Sequence, residues 1–108
     1  MQATETGWSK TEQQIARTAF DTAYEREINH LIETVREKSG AVREIADIWQ
    51  LHDFLSARRH EIDGKYDYRY STLIFVFASL VKDGWLQLSE LEGLAKDKLA
   101  KISALTRM

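Results

Sequence analysis

The sequence predicts an all-α fold of four main helices, a long amphipathic first helix and three shorter ones, on three observations. Proline is absent from all 108 residues, which removes the commonest helix breaker. Alanine, leucine, glutamate, lysine, glutamine and arginine, the strong helix formers, are abundant. Apolar residues return at steps of three and four along most of the chain. The length suits one helical domain over 1–108, with a polar N-terminal tail over 1–9.

The first helix is expected over 10–38. Ser9 followed by Glu12 is a capping-box spacing that satisfies orphan amides at a helix start. From there Ile15, Ala19, Phe20, Ala23, Ile28, Leu31, Ile32 and Val35 draw one apolar stripe until Ser39-Gly40. Such a helix is about 43 Å long, so it must project beyond a small globule or pack on a second copy. The second helix is expected from Val42 to His60 or Ile62, with Ile45, Ile48, Leu51 and Leu55 on one face and Asp63-Gly64 as its stop. The third is expected over Tyr66–Lys82. Its TLIFVFASLV run is apolar nearly all round and would also suit a buried strand, but its length, its flanking glycines and the helical context select a helix. The fourth is expected to start near Ser89, again at a capping-box spacing to Glu92, and to run to the terminus with acids early and Lys96, Lys98 and Lys101 late, the polarity the helix dipole favours. A chain this small is short of internal partners for so long a helix, so an isologous two-fold dimer is expected, with the second helix and the apolar third near the axis.

Composition excludes several functions. Without cysteine there is no disulfide framework or thiolate metal site. A net charge of −2 and a pI of about 5.9 argue against a nucleic-acid binder. The N-terminus lacks the apolar run of a signal peptide, and no stretch approaches the ~20 apolar residues a membrane span needs. His52 and His60, eight apart on one helix, would stand about 12 Å apart, too far to share a metal. Ser56, His52 and Asp53 share a helical face, yet no nucleophile elbow or phosphate loop accompanies them, so no catalytic site, metal or cofactor is expected. Arg58-Arg59-His60 is a short basic spot, too small for a nucleic-acid surface. Tyr66, Tyr68, Tyr70, Phe75 and Phe77 suit packing between helices better than a ligand pocket, and Trp85 is expected under the turn into the fourth helix.

The informative stripe is Trp49, His52, Asp53, Ser56, Arg59 and His60 on the second helix. It mixes a large ring, an acid, a guanidinium and imidazoles, as binding hot spots do. The competing reading puts Trp49 in the core, pairs Asp53 with Arg59 or with an arginine of a second copy, and leaves the histidines solvated.

The run WQLHDFLSARRHEIDGKYDYR, from Trp49 to Arg69, followed by STLIFVFASLVKDG, closely resembles the cyanobacterial fluorescence recovery proteins. The likeness extends to FDTAYEREINHL in the first helix and KLAKISAL in the last. It implies an all-helical homodimer, or a larger assembly, without chromophore or enzymatic chemistry, in the cytoplasm near thylakoid-bound antennae. Its partner would be the orange carotenoid protein in its activated red form, bound chiefly through that protein's C-terminal domain, returned to the orange form and released from the phycobilisome. The resemblance assigns partner contact to Trp49, His52, Asp53 and Arg59, and further to Phe75 and Lys101. It places the dimer interface on the same helix, at Ile48, Trp49 and His52, so a residue of the stripe can act by holding the dimer. The alternative is a dimeric helical adaptor for another protein, without photocycle activity.

Overall fold

The computed structural model describes residues 7–108. The expected tail over 1–9 therefore lies largely outside the described residues, and Trp8 within it is buried. The elements run α1 (Lys10–Gly40), α2 (Ile45–Lys65), α3 (Leu73–Lys82), a 3-10 turn (Leu88–Leu91) and α4 (Lys96–Thr106). Four α-helices and no strand among the described residues are what the composition predicts.

The molecule measures 62 × 24 × 21 Å, with a radius of gyration of 17.2 Å, against about 13 Å for a globular chain of this size. It divides into a head and an arm. The head core joins Trp8, Ala16, Ala19, Phe20 and Ala23 of the α1 end to Leu73, Val76, Phe77 and Leu80 of α3, Leu86, Leu91 and Leu94 around the 3-10 turn, and Ile102 of α4. Three buried alanines of α1, Ala16, Ala19 and Ala23, let the other helices approach closely. Beyond Glu27, α1 leaves this core and forms the arm with α2, where Ile32 is exposed and Ile28, Leu31 and Val35 are half-buried.

The start of α1 is as expected: Ser9 Oγ accepts from the Glu12 amide at 3.1 Å and Glu12 Oε1 accepts from the Ser9 amide at 3.0 Å. Other boundaries differ, each for a local reason. α2 starts at Ile45 because the Asp47 carboxylate accepts from the amides of Arg43 and Glu44 at 2.9 and 3.2 Å, capping the helix there. It runs through Asp63-Gly64 to Lys65, closed by Tyr66 N–H on the Ile62 carbonyl at 3.1 Å. Its expected apolar face is largely solvent-facing: Ile45, Ile48 and Leu55 are exposed and Leu51 is half-buried. The inward face is instead Leu51, Phe54, Arg58, Ile62 and Lys65.

The third helix is shorter than expected. Residues 66–72 are not helical, and Tyr66, Tyr68 and Tyr70, two apart, project to one side as in an extended chain. Phe20 meets Tyr66 and Tyr68 edge-on at 5.4 and 4.9 Å between centroids, and Trp8 meets Tyr70 at 5.9 Å. α3 is closed just past Lys82, where Gly84, at a φ of 86°, permits a 6→1 bond from Trp85 N–H to the Leu80 carbonyl. The expected fourth helix breaks in two. Its first cap is Gln87 with Glu90, not Ser89 with Glu92, and α4 proper begins at Lys96, so Lys96 and Lys98 sit in its first turn, contrary to the dipole expectation. Gly93 lies between the pieces at φ 105°, and a Cβ there would stand 2.5 Å from Ile15 Cδ1.

Candidate functional site

α2 is bound to its own chain along one side only; Ile62 is its one buried residue. The opposite side carries the expected stripe. Trp49 is 59% exposed, which removes the reading of it as a core residue. His52 and Asp53 are exposed and touch each other, Nδ1 to Oδ1, at 3.3 Å. Arg59 is also exposed, its Nε 3.7 Å from Asp63 Oδ2, so Asp53 does not pair with Arg59 within the chain. His60 Nδ1 lies 3.1 Å from the Ser56 carbonyl. A shallow groove is lined by His52, Leu55, Ser56, Arg59 and His60. Ile48 flanks Trp49 on the same exposed side. Exposed ion pairs of this kind contribute little to stability, so these side chains are free to exchange their neighbours for those of a partner.

Phe75 and Lys101 lie elsewhere, on the head. Phe75 is 63% exposed on α3 and borders a groove with Glu61 and Gly64 near the end of α2, while Lys101 stands exposed on α4. The remaining large side chains of α3 are used within the head: Leu73, Phe77 and Leu80 are wholly buried. Trp85 is half-buried, its ring 5.5 Å from that of His30. No group of three metal-ligating side chains occurs among the described residues, and no described helix is long and apolar enough to cross a membrane.

The residue pattern had grouped Arg58 with Arg59 as one basic spot; the structure separates them. Arg58 turns inward, and its Nη2 donates at 2.9 Å to Oε2 of Glu27, a carboxylate 1% exposed. Lys65 Nζ donates to the same oxygen at 2.9 Å, and the Tyr66 hydroxyl donates to Oε1 at 2.8 Å. Burial opposes ionisation of Glu27, but the hydrogen bonds from Lys65, Arg58 and Tyr66 outweigh it and hold its carboxyl below the ordinary range. The Tyr66 phenol is pushed strongly upward by burial and by the Glu27 carboxylate. A charged residue four after Ala23 and four before Leu31, inside an apolar stripe, was the sequence signal for this network.

Together these features define a small all-α protein that presents an exposed aromatic and charged face on a projecting helix. The chain belongs to the fluorescence recovery protein family of photoprotection regulators, whose pattern matches residues 8–106. It is 52% identical over 108 residues to the fluorescence recovery protein of Synechocystis sp. PCC 6803, covering 100% of this chain and 99% of that one. Among solved structures, it resembles the fluorescence recovery protein of Fremyella diplosiphon with a TM-score of 0.92 and 62% identity, over 94% of this chain and 99% of the other. The solved Synechocystis protein gives 0.91 and 53%, with the same coverage.

Proposed function

We propose that this chain regulates cyanobacterial photoprotection by binding the photoactivated red form of the orange carotenoid protein, chiefly on that protein's C-terminal domain. It accelerates reversion to the orange form and promotes detachment from phycobilisomes, so that antenna fluorescence returns. The observation that carries the reading is Trp49, a large ring left 59% exposed on a helix with one buried residue, in a family of photoprotection regulators. Burying such a ring supplies binding energy that the free chain has not already used. Arg59, only loosely held by Asp63, can fork onto a partner carboxylate, and His52 with Asp53 can fix orientation by hydrogen bonds. Phe75 and Lys101 extend the contact from the head.

The working unit is a homodimer, or a larger assembly built from it. Ile45, Ile48 and Leu55 on α2 and Ile32 on α1 leave an apolar arm surface that a second copy would cover. Ile48, Trp49 and His52 then lie at the dimer-facing edge of the same stripe. No cofactor, metal or catalytic group takes part, and the protein works in the cytoplasm beside the antennae. Acceleration requires the complex to stabilise the transition state between red and orange forms, or an intermediate in which the separated domains are brought back together; tight binding of the red ground state alone would slow the return. Affinity must therefore fall as the compact form re-covers its docking surface.

The test is the dark decay of photoactivated orange carotenoid protein, followed by visible absorption with this chain at a substoichiometric ratio. Faster decay with many partner molecules converted per dimer supports the reading. No acceleration with any carotenoid-protein type rejects it and leaves a dimeric adaptor for another protein.

A further inference from the structure

Consecutive residues on α2 have opposite fates: Arg58 is drawn inward and Arg59 stands in solvent. Neighbours on an α-helix are about 100° apart, so whatever fixes the direction of Arg58 also fixes that of Arg59 and of the stripe it shares with Trp49, His52 and Asp53. Within the single chain, apolar packing constrains this rotation weakly, because Ile62 alone of the α2 side chains is buried. The Glu27 network constrains it strongly. Arg58 and Lys65 are seven residues apart, two turns along one face, and both donate to a single carboxylate on α1. Two donors two turns apart on one acceptor fix rotation and axial position together. Tyr66, which donates to the other oxygen of Glu27, packs edge-on against Phe20 at 5.4 Å and Tyr24 at 5.0 Å, so the clamp is seated on the part of α1 that packs into the head core. A buried ion-pair network of this kind is seldom more stable than apolar residues packed in place of all its members, although removing one member alone is costly; registry is its best-attested use.

We propose that Glu27 is a positioning residue, setting through Arg58 and Lys65 the rotation of α2 and hence the presentation of Trp49, His52, Asp53 and Arg59 to the partner. The part that concerns the partner rests on the function proposed above; the control of α2 does not. The test uses the full chain labelled with 5-fluorotryptophan, whose three fluorine lines are assigned by single Trp→Phe changes. Trp8 reports the head core, Trp49 the stripe and Trp85 the neighbourhood of the network. In Glu27→Gln, and independently in Arg58→Met, the Trp49 line is expected to move or split while the Trp8 line stays in place. Stimulation of partner recovery is expected to fall roughly 2- to 30-fold. An unmoved Trp49 line overturns the proposal, whether stimulation is kept or lost. Collapse of all three lines to unfolded positions in both variants also overturns it and makes the network a folding element. If the wild-type chain gives no stimulation, the partner assignment has failed, and a moved Trp49 line still upholds the control of α2 by Glu27.

Discussion

Glu12 and Lys98, 86 positions apart, are joined by paired hydrogen bonds of 3.2 and 3.1 Å from Nζ to the two carboxylate oxygens. The same carboxylate accepts from the Ser9 amide and from the Ala95 amide at 2.8 Å, so one side chain caps the start of α1 and the start of α4. Replacing Glu12 by alanine removes the acceptor for two amides and a mostly buried ammonium. We expect a loss of about 2–4 kcal/mol, against about 1 kcal/mol for Ser9→Ala, which removes a single cap. Urea unfolding followed by circular dichroism measures both, and equal losses would mean that the α4 side of the junction contributes nothing.

Acid should unfold the protein through Glu12 and Glu27. Burial raises the pKa of each, but hydrogen bonds prevail: from the Ser9 and Ala95 amides and Lys98 at Glu12, and from Lys65, Arg58 and Tyr66 at Glu27. Both carboxyls therefore titrate below their ordinary 4.5 when folded. A group with a depressed folded pKa binds fewer protons folded than unfolded, so its contribution is complete above about pH 4.5 and is lost as pH falls through the folded value. Urea midpoints of the wild type should be flat from pH 7 to 5 and fall steeply below 4.5. Glu27→Gln should start lower and fall less steeply, and parallel curves for the two proteins would remove Glu27 from the account.

How much of this was legible in the sequence depended on range and period. The Ser9–Glu12 box involves neighbours and reads directly. The stripe from Trp49 to Arg59 reads because helical spacing survives whichever side of α2 packs. The same spacing could not say which side that is: the apolar set Ile45, Ile48 and Leu55 looked inward, and the polar Arg58 and Lys65 took that place because their acceptor lies on another helix. Gly64 was a false stop for the same reason, since α2 has to continue to Lys65 for the clamp to close. Tyr66, Tyr68 and Tyr70 carry the opposite lesson, a period of two at the head of a run whose length and context favour a helix.

Gly93 makes a sharper test of the head. Its φ of 105° is costly for any residue with a Cβ, and the added atom would stand 2.5 Å from Ile15 Cδ1. Gly93→Ala should lose about 1–3 kcal/mol from the backbone strain, with a further loss from displacing Ile15. Adding Ile15→Val, which withdraws the clashing methyl, should recover the second part only. Full recovery in the double variant would mean that sterics, not φ, dominate there.

Trp49 and Ile62 lie on opposite sides of α2, and their sizes and their contributions to folding should run in opposite order. Ile62 is 7% exposed and Trp49 59%, so Ile62→Ala should cost about 2–5 kcal/mol and Trp49→Ala should stay within about 0.5 kcal/mol. These values belong to the dilute limit, where each chain unfolds alone. If α2 also pairs with a second copy, the wild-type Tm must rise with protein concentration, because anything that binds only the folded chain stabilises it by mass action. Trp49→Ala should then weaken that rise without altering the dilute-limit value, and Ile62→Ala should lower the Tm at every concentration. Scanning calorimetry over a hundredfold range of concentration separates the two effects. A dilute-limit loss for Trp49→Ala as large as that for Ile62→Ala would show that the ring packs within its own chain, and the exposed face of α2 would lose its anchor.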